Sequence, residues 1–170
     1  MQQLYNRHLK SITLKILIFG PDSNGTSTDV RVNAIKNKRI QIRNHLISEG
    51  HTAVFPEDIV DPNAAPPMNN PAIAESLLMR EYDVIINIVE TPGSIAEAGK
   101  ISEHSALAAK SLLFICDQYC TGFPYAACQQ AKQIGAELST FSYPNDVTQC
   151  HLLTKVCDMI NKIQLVKFYS

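Results

Sequence analysis

Apolar positions along this chain fall into two alternating rhythms. Short, nearly continuous apolar runs stand at residues 12–19 (ITLKILIF), 52–55 (TAVF), 84–89 (VIINIV) and 112–116 (LLFIC), with a weaker run at 137–141 (ELSTF). Runs of this length and composition, bounded by Gly, Pro and polar residues, read as buried strands. Between them, apolar residues recur at three- and four-residue spacing. Ile35, Ile42, Leu46 and Ile47 mark a helix over 30–49 that stops at Gly50. Ile73, Leu77 and Leu78 mark the inward side of a helix over 71–82, and residues 123–134 form another that ends at Gly135. Leu152, Leu153, Val156, Met159, Ile160 and Ile163 are the inner stripe of the last helix. Strand and helix alternate throughout. The pattern predicts one α/β domain over 1–170, a three-layer α/β/α sandwich on a mostly parallel, Rossmann-like (flavodoxin-like) sheet of about five strands.

In such a sheet the loops at the strands' carboxyl ends share one edge, where ligands bind. The stretch DVIINIVETPGSIAEAGKI, residues 83–101, carries the strongest signal there. A strand ends in the turn Glu90-Thr91-Pro92-Gly93, and Ser94 opens a helix running toward Ala109 with Glu97 in its first turn. Ser94-x-x-Glu97 has the form of a capping box, in which the glutamate turns back to the helix N-terminus. In the alternative, a Glu97 oxygen faces the crevice and is free for chemistry. Gly93, Ala96 and Gly99 keep its surroundings open.

Three further loops belong to the same edge. Gly20-Pro21-Asp22, followed by Asn24, makes a polar loop suited to a sugar or nucleotide contact, without the GxGxxG or P-loop pattern. Glu57 and Asp58 follow the second strand as ligand contacts or turn caps. Tyr119, with Phe123 and Tyr125, stacks on a base or packs the rim. Arg31, near a helix start, reaches a phosphate or carboxylate, whereas Lys36, Lys38, Arg39 and Arg43 read as a solvated face. Residues 59–70, rich in Pro, Ala and Asn, read as a long loop and a lid over the site. Asp83, at the opposite edge, and His104, exposed or at an interface, are outside the chemistry.

Composition narrows the class. A formal net charge of -1 gives no footprint for nucleic acid. No apolar run approaches a membrane span and residues 1–10 lack an apolar signal core, so the expectation is a cytoplasmic protein with a loose N-terminal arm. Five cysteines without CxxC spacing imply reduced, mostly buried thiols and no zinc ribbon. No metal or other cofactor is expected.

The landmarks Ile18-Phe19-Gly20-Pro21, then a helix containing Arg31 or Arg39, Gly50-His51, Val54-Phe55-Pro56-Glu57-Asp58, Asp83-Val84-Ile85-Ile86 and Gly93-Ser94-Ile95-Ala96-Glu97-Ala98-Gly99 resemble the nucleoside 2-deoxyribosyltransferase-like family over residues 14–116. TIR-like and SLOG-like relatives look similar over the same region. The resemblance implies that Glu97 attacks an anomeric carbon, with Glu90 standing where the family carries an aspartate. Gly20, Pro21, Asp22, Asn24, Arg31, Glu57, Asp58, Pro92, Gly93, Ser94 and Tyr119 are then the substrate-binding set. It also implies a homo-oligomer acting on a nucleoside or nucleotide.

A carboxylate below the sugar stabilises the oxocarbenium-like state or forms a glycosyl–enzyme, and a second group helps the base leave. Glu90, Glu57 or Asp58 is the expected helper. A nicotinamide is already cationic and needs less help, so a site with one carboxylate suits a nicotinamide nucleotide. The competing readings are a nonenzymatic nucleotide-binding sensor, a NAD-cleaving effector with a TIR-like site, and a structural subunit with a filled crevice.

Overall fold

The structure, a computed structural model, describes residues 9–170, so nearly all of the expected N-terminal arm lies outside the described residues. Strands β1 (Lys15–Phe19), β2 (Thr52–Val54), β3 (Val84–Val89), β4 (Ser111–Cys116) and β5 (Glu137–Phe141) form one all-parallel sheet in the order β2-β1-β3-β4-β5. The helices are α1 (Val30–Ser48), α2 (Pro56–Ile59), α3 (Pro71–Glu81), α4 (Pro92–Glu103), α5 (Ser105–Ala108), α6 (Gly122–Gln133), α7 (Asn145–Thr148) and α8 (His151–Tyr169). This is the three-layer α/β sandwich that the alternation predicts.

Side-chain alternation splits the apolar strands between two cores. Ile16, Ile18, Val84, Ile86, Ile88, Leu112 and Phe114 face α1 and α8, where Ile35, Ile42, Leu152 and Val156 meet them. Leu17, Phe19, Ile85, Val89, Leu113 and Ile115 face the other layer, against Met79, Ala98, Ile101, Ala127 and Ala131. Every residue of β3 and β4 is buried, which explains their continuous apolar sequence. Register pairs Ile16 with Val84, Ile86 with Leu112, and Leu112 with Glu137. Asp83 is structural, as expected: it accepts from the Lys15 N–H at 2.8 Å and from Lys167 at 2.6 Å, tying α8 to the sheet's amino edge. Among the described residues no helix is long and apolar enough to cross a membrane. All five cysteines are free; Cys116 and Cys128 are buried and Cys150 is exposed.

Four expectations are corrected. Ile73 and Leu77 are about 40% exposed, because α3 turns Ala74 and Met79 inward instead. Ile47 lies on the outer face of α1, half exposed. Arg39 and Lys38 are not solvated but buried. The helix at Glu97 starts two residues before Ser94 and breaks at His104, which is exposed between α4 and α5.

Candidate functional site

The chain runs from β1 outward to β2 and returns past β1 to β3. The reversal places a switch point between β1 and β3, where a doubly wound sheet opens a crevice at its carboxyl edge. A crevice of about 120 Å³ lies there, lined by Phe19, Gly20, Arg39, Pro56, Glu57, Glu75, Gly93, Ser94 and Glu97.

Thr91 caps α4, with Pro92 at the first helical position. The capping box joins Thr91 and Ser94: Ser94 N–H points to Thr91 Oγ1 at 3.5 Å, and Ser94 Oγ accepts from the Glu90 and Thr91 N–H groups at 2.9 Å each. Ser94 is therefore the third helical residue of the box and not its cap. Glu97 falls in the second turn, too far along to serve the box. Its side chain is 5% exposed. Lys100 donates to Oε1 at 2.9 Å, and the other oxygen, Oε2, is buried with no hydrogen-bond partner among the described residues.

A second carboxyl completes the crevice. Glu75, on α3, lies beside Glu97, and Lys100 Nζ stands 3.6 Å from Glu75 Oε2. Burial pushes the Glu75 carboxyl up to about 7, reinforced by the Glu97 carboxylate beside it and opposed by Lys100. Sequence reasoning missed both Glu75 and Lys100. Lys100 was legible as the i+3 partner of Glu97, but Glu75 reaches the crevice through tertiary packing alone.

The wall opposite is built on Arg39. Its guanidinium donates to Ile18 O at 2.5 Å, to Pro21 O at 2.8 Å and to both Glu57 oxygens at 2.5 and 2.9 Å, and it lies 4.0 Å from the Phe55 ring centroid. Gly20, at φ +153°, is what admits it: a Cβ there would stand 3.1 Å from Arg39 Cδ. Glu57 is thus an ion-pair partner, held below the usual carboxylate range by Arg39 against its burial cost, and also accepts from the Ser23 N–H. It is no proton donor for a leaving base. Asp58 pairs with Arg43 at 3.2 Å, away from the crevice lining.

Glu90 is likewise corrected. Both of its oxygens are taken by Arg31, at 2.6 and 3.1 Å, and its side chain is 4% exposed. Arg31 also donates to Gln118 and lies over Tyr119 and Tyr143, at 4.6 and 5.1 Å from their ring centroids. The pair clamps α1 to the ends of β3 and β4; neither member lines the crevice. Arg31 is not a free phosphate receptor.

Of the remaining expected residues, Gly20, Gly93 and Ser94 line the crevice, while Pro21 contributes its carbonyl to Arg39. Asp22 accepts from the Asn24 N–H and closes its own turn, so Asp22 and Asn24 order the first loop. Pro92 is exposed at the start of α4. Gly99 faces Phe123 on α6, where a Cβ would stand 3.8 Å from the Phe123 ring. Residues 60–70 do not line the crevice; Val60, Asp61, Ala64 and Met68 instead cover a separate apolar hollow of about 140 Å³ over Ala74 and Leu78.

Tyr119 belongs to a different hollow on the other flank of α4. This slot, of about 210 Å³, is lined by Val89, Glu90, Ile95, Ile115, Tyr119, Thr121 and Pro124. Asn87 is a fully buried polar residue in the middle of β3. Its Nδ2 donates to Ser94 O at 2.9 Å, and its Oδ1 is unpartnered among the described residues. A lone asparagine in VIINIV was its sequence signal. Among the described residues no His, Cys, Asp or Glu cluster is arranged to hold a metal ion. Compared with protein-family models and with curated proteins, the chain matches none.

Proposed function

We propose that this protein cleaves or transfers the N-glycosidic bond of a nucleoside or nucleotide, with Glu97 as nucleophile and Glu75 as acid. The observation that carries the reading is the buried Glu97 carboxylate at a sheet switch point. One oxygen is fixed by Lys100, the other has no hydrogen-bond partner among the described residues, and a carboxyl near neutrality stands beside it.

In the first step Glu97 Oε2 bonds to the anomeric carbon as the C–N bond breaks. The electron pair goes to the base nitrogen, which takes the Glu75 proton. In the second step ionised Glu75 removes a proton from water, or from an acceptor base. The new nucleophile bonds to the anomeric carbon, and the glycosyl–Glu97 bond breaks. Water gives hydrolysis; a base gives transfer. Lys100 positions Glu97 and neutralises one of the two carboxyl charges. Because Glu57 and Glu90 are held by arginines, Glu75 takes the helper role that the sequence assigned to them. An acid near 7 suits a neutral base that must leave protonated. Self-association is part of this reading, and Ile73 and Leu77 leave an apolar face on the helix that carries Glu75.

The test is base release. The purified protein is incubated with ribo- and deoxynucleosides and with NAD, and free base is read by chromatography. The reading expects release by the wild type and none by a folded Glu97→Gln. No release from any substrate turns the reading toward a binding module.

A further inference from the structure

We propose that the apolar slot between α4 and α6 is a second ring-binding subsite for the same substrate, so that the ligand of this edge is a dinucleotide. The inference rests on the reading above for the chemistry at Glu97, but its geometry stands apart from it. The two hollows flank the first turns of one helix. Gly93, Ser94 and Glu97 line the crevice, and Ile95 lines the slot. Ile95 and Glu97 are two residues apart and so point to opposite sides of the helix. A helix with its side chains is about 10–12 Å across, so rings in the two hollows lie on the order of 10 Å apart. A ribose–pyrophosphate–ribose bridge spans that distance.

The path between the hollows suits such a bridge. Pro92 has no N–H, and the Ser94 and Ile95 N–H groups point to Thr91. The Gly93 N–H is left without a partner among the described residues, at the positive end of a twelve-residue helix. A Cβ at Gly93 would meet nothing within 4 Å, so the space before that amide is open. The second, independent sign of a ligand is Glu97 Oε2, a buried acceptor with no partner among the described residues, on a residue that lines the same crevice.

The slot itself selects a planar, uncharged ring. Val89, Ile95, Ile115 and Pro124 give it apolar walls, and Tyr119, 47% exposed and covered on one face by Arg31, adds an aromatic side chain to its lining. The carboxylate in its lining, Glu90, is already satisfied by Arg31. Recognition there is by stacking and shape, as for a nucleobase on an aromatic side chain.

The experiment compares matched pairs: NAD with nicotinamide riboside, and diadenosine diphosphate with adenosine. Each is tested on the wild type, Tyr119→Ala and Thr121→Trp. Thr121 is exposed and makes no capping bond through its side chain, so tryptophan there fills the slot without removing a support of the fold. Circular dichroism confirms folding. Stacking of one base contributes about 1–3 kcal/mol, so the dinucleotide should half-saturate at roughly tenfold or lower concentration than its nucleoside. Thr121→Trp should remove most of that advantage by raising KM for the dinucleotide alone. An equal effect on both members of a pair, or no dinucleotide advantage, overturns the proposal while leaving the Glu97 chemistry standing. If no base is released from anything, calorimetric binding of NAD decides the subsite by itself. Binding that Thr121→Trp weakens supports it; absent or unchanged binding overturns it.

Discussion

The Glu75 carboxyl, in the second turn of α3, lies beside the Glu97 carboxylate on α4, and Lys100 lies against both. Two carboxyls packed together in a half-closed crevice cannot both ionise without cost, and Lys100 offsets only part of it. The Glu75 carboxyl therefore holds its proton up to about 7, and this can be measured as stability, as rate and as a titration.

Stability comes first. The folded Glu75 carboxyl is raised from its ordinary value near 4.5 to about 7, so the folded protein binds the proton more tightly than the unfolded chain. Its contribution is fully present below about pH 4.5 and is lost as pH rises through about 7. Glu75→Gln keeps the shape of the side chain and never ionises. Urea unfolding at pH 8 should find the variant more stable than the wild type by on the order of 1–3 kcal/mol, with the difference shrinking toward pH 5.

The rate should carry the same proton. Base release from a neutral-base nucleoside should fall as pH rises through about 7, because Glu75 must be protonated to help the base leave. Glu75→Gln should lose that alkaline limb and release base roughly 100-fold or more slowly. Release from NAD, whose base leaves without a proton, should be far less sensitive to the change.

Lys100→Met tests how the pair is held. The ammonium lowers Glu75, so its removal should lift the Glu75 midpoint above about 7. A carboxyl-carbon titration by nuclear magnetic resonance reads this directly. An unchanged midpoint would show that Lys100 does not couple to the pair.

The opposite wall should matter for folding. Arg39 is 1% exposed and makes all its bonds within the wall, so Glu57→Ala leaves a buried guanidinium without its counter-charge. Thermal and urea unfolding should report a loss of about 3–5 kcal/mol. Gly20→Ala should also destabilise, since the new methyl meets Arg39 Cδ at a positive φ.

The fold was legible because β1, β3 and β4 are covered on both faces, and such strands must read as unbroken apolar runs. Glu97 was legible because it follows a strand, a Pro-Gly turn and a helix start. The helix start itself was misplaced. Thr91-Pro92 is a cap followed by proline at the first helical position, and that signal outranks Ser94-x-x-Glu97. What stayed hidden was long-range pairing. Glu90, Glu57 and Arg31 look like free chemistry in a sequence, and only packing shows that each is consumed by another. Arg39 was hidden because periodicity assigns a charge to solvent, whereas here backbone carbonyls and Glu57 hold it inside. Glu75 was hidden because it sits on a helix read for its apolar positions alone. Ile73 and Leu77 were misread for the same reason, since α3 is anchored by Ala74 and Met79.

In the proposed reaction Glu97 forms a bond to the sugar. A 2-fluoro nucleoside slows breakdown of a glycosyl–enzyme, so the adduct accumulates. The protein is incubated with such an analogue of whichever base is released, quenched in acid, and examined by intact mass and peptide mapping. One glycosyl group per chain is expected, on the peptide containing Glu97, with an equal burst of free base and neither signal from Glu97→Gln. A burst of base without an adduct at Glu97, or an adduct on another residue, would contradict it.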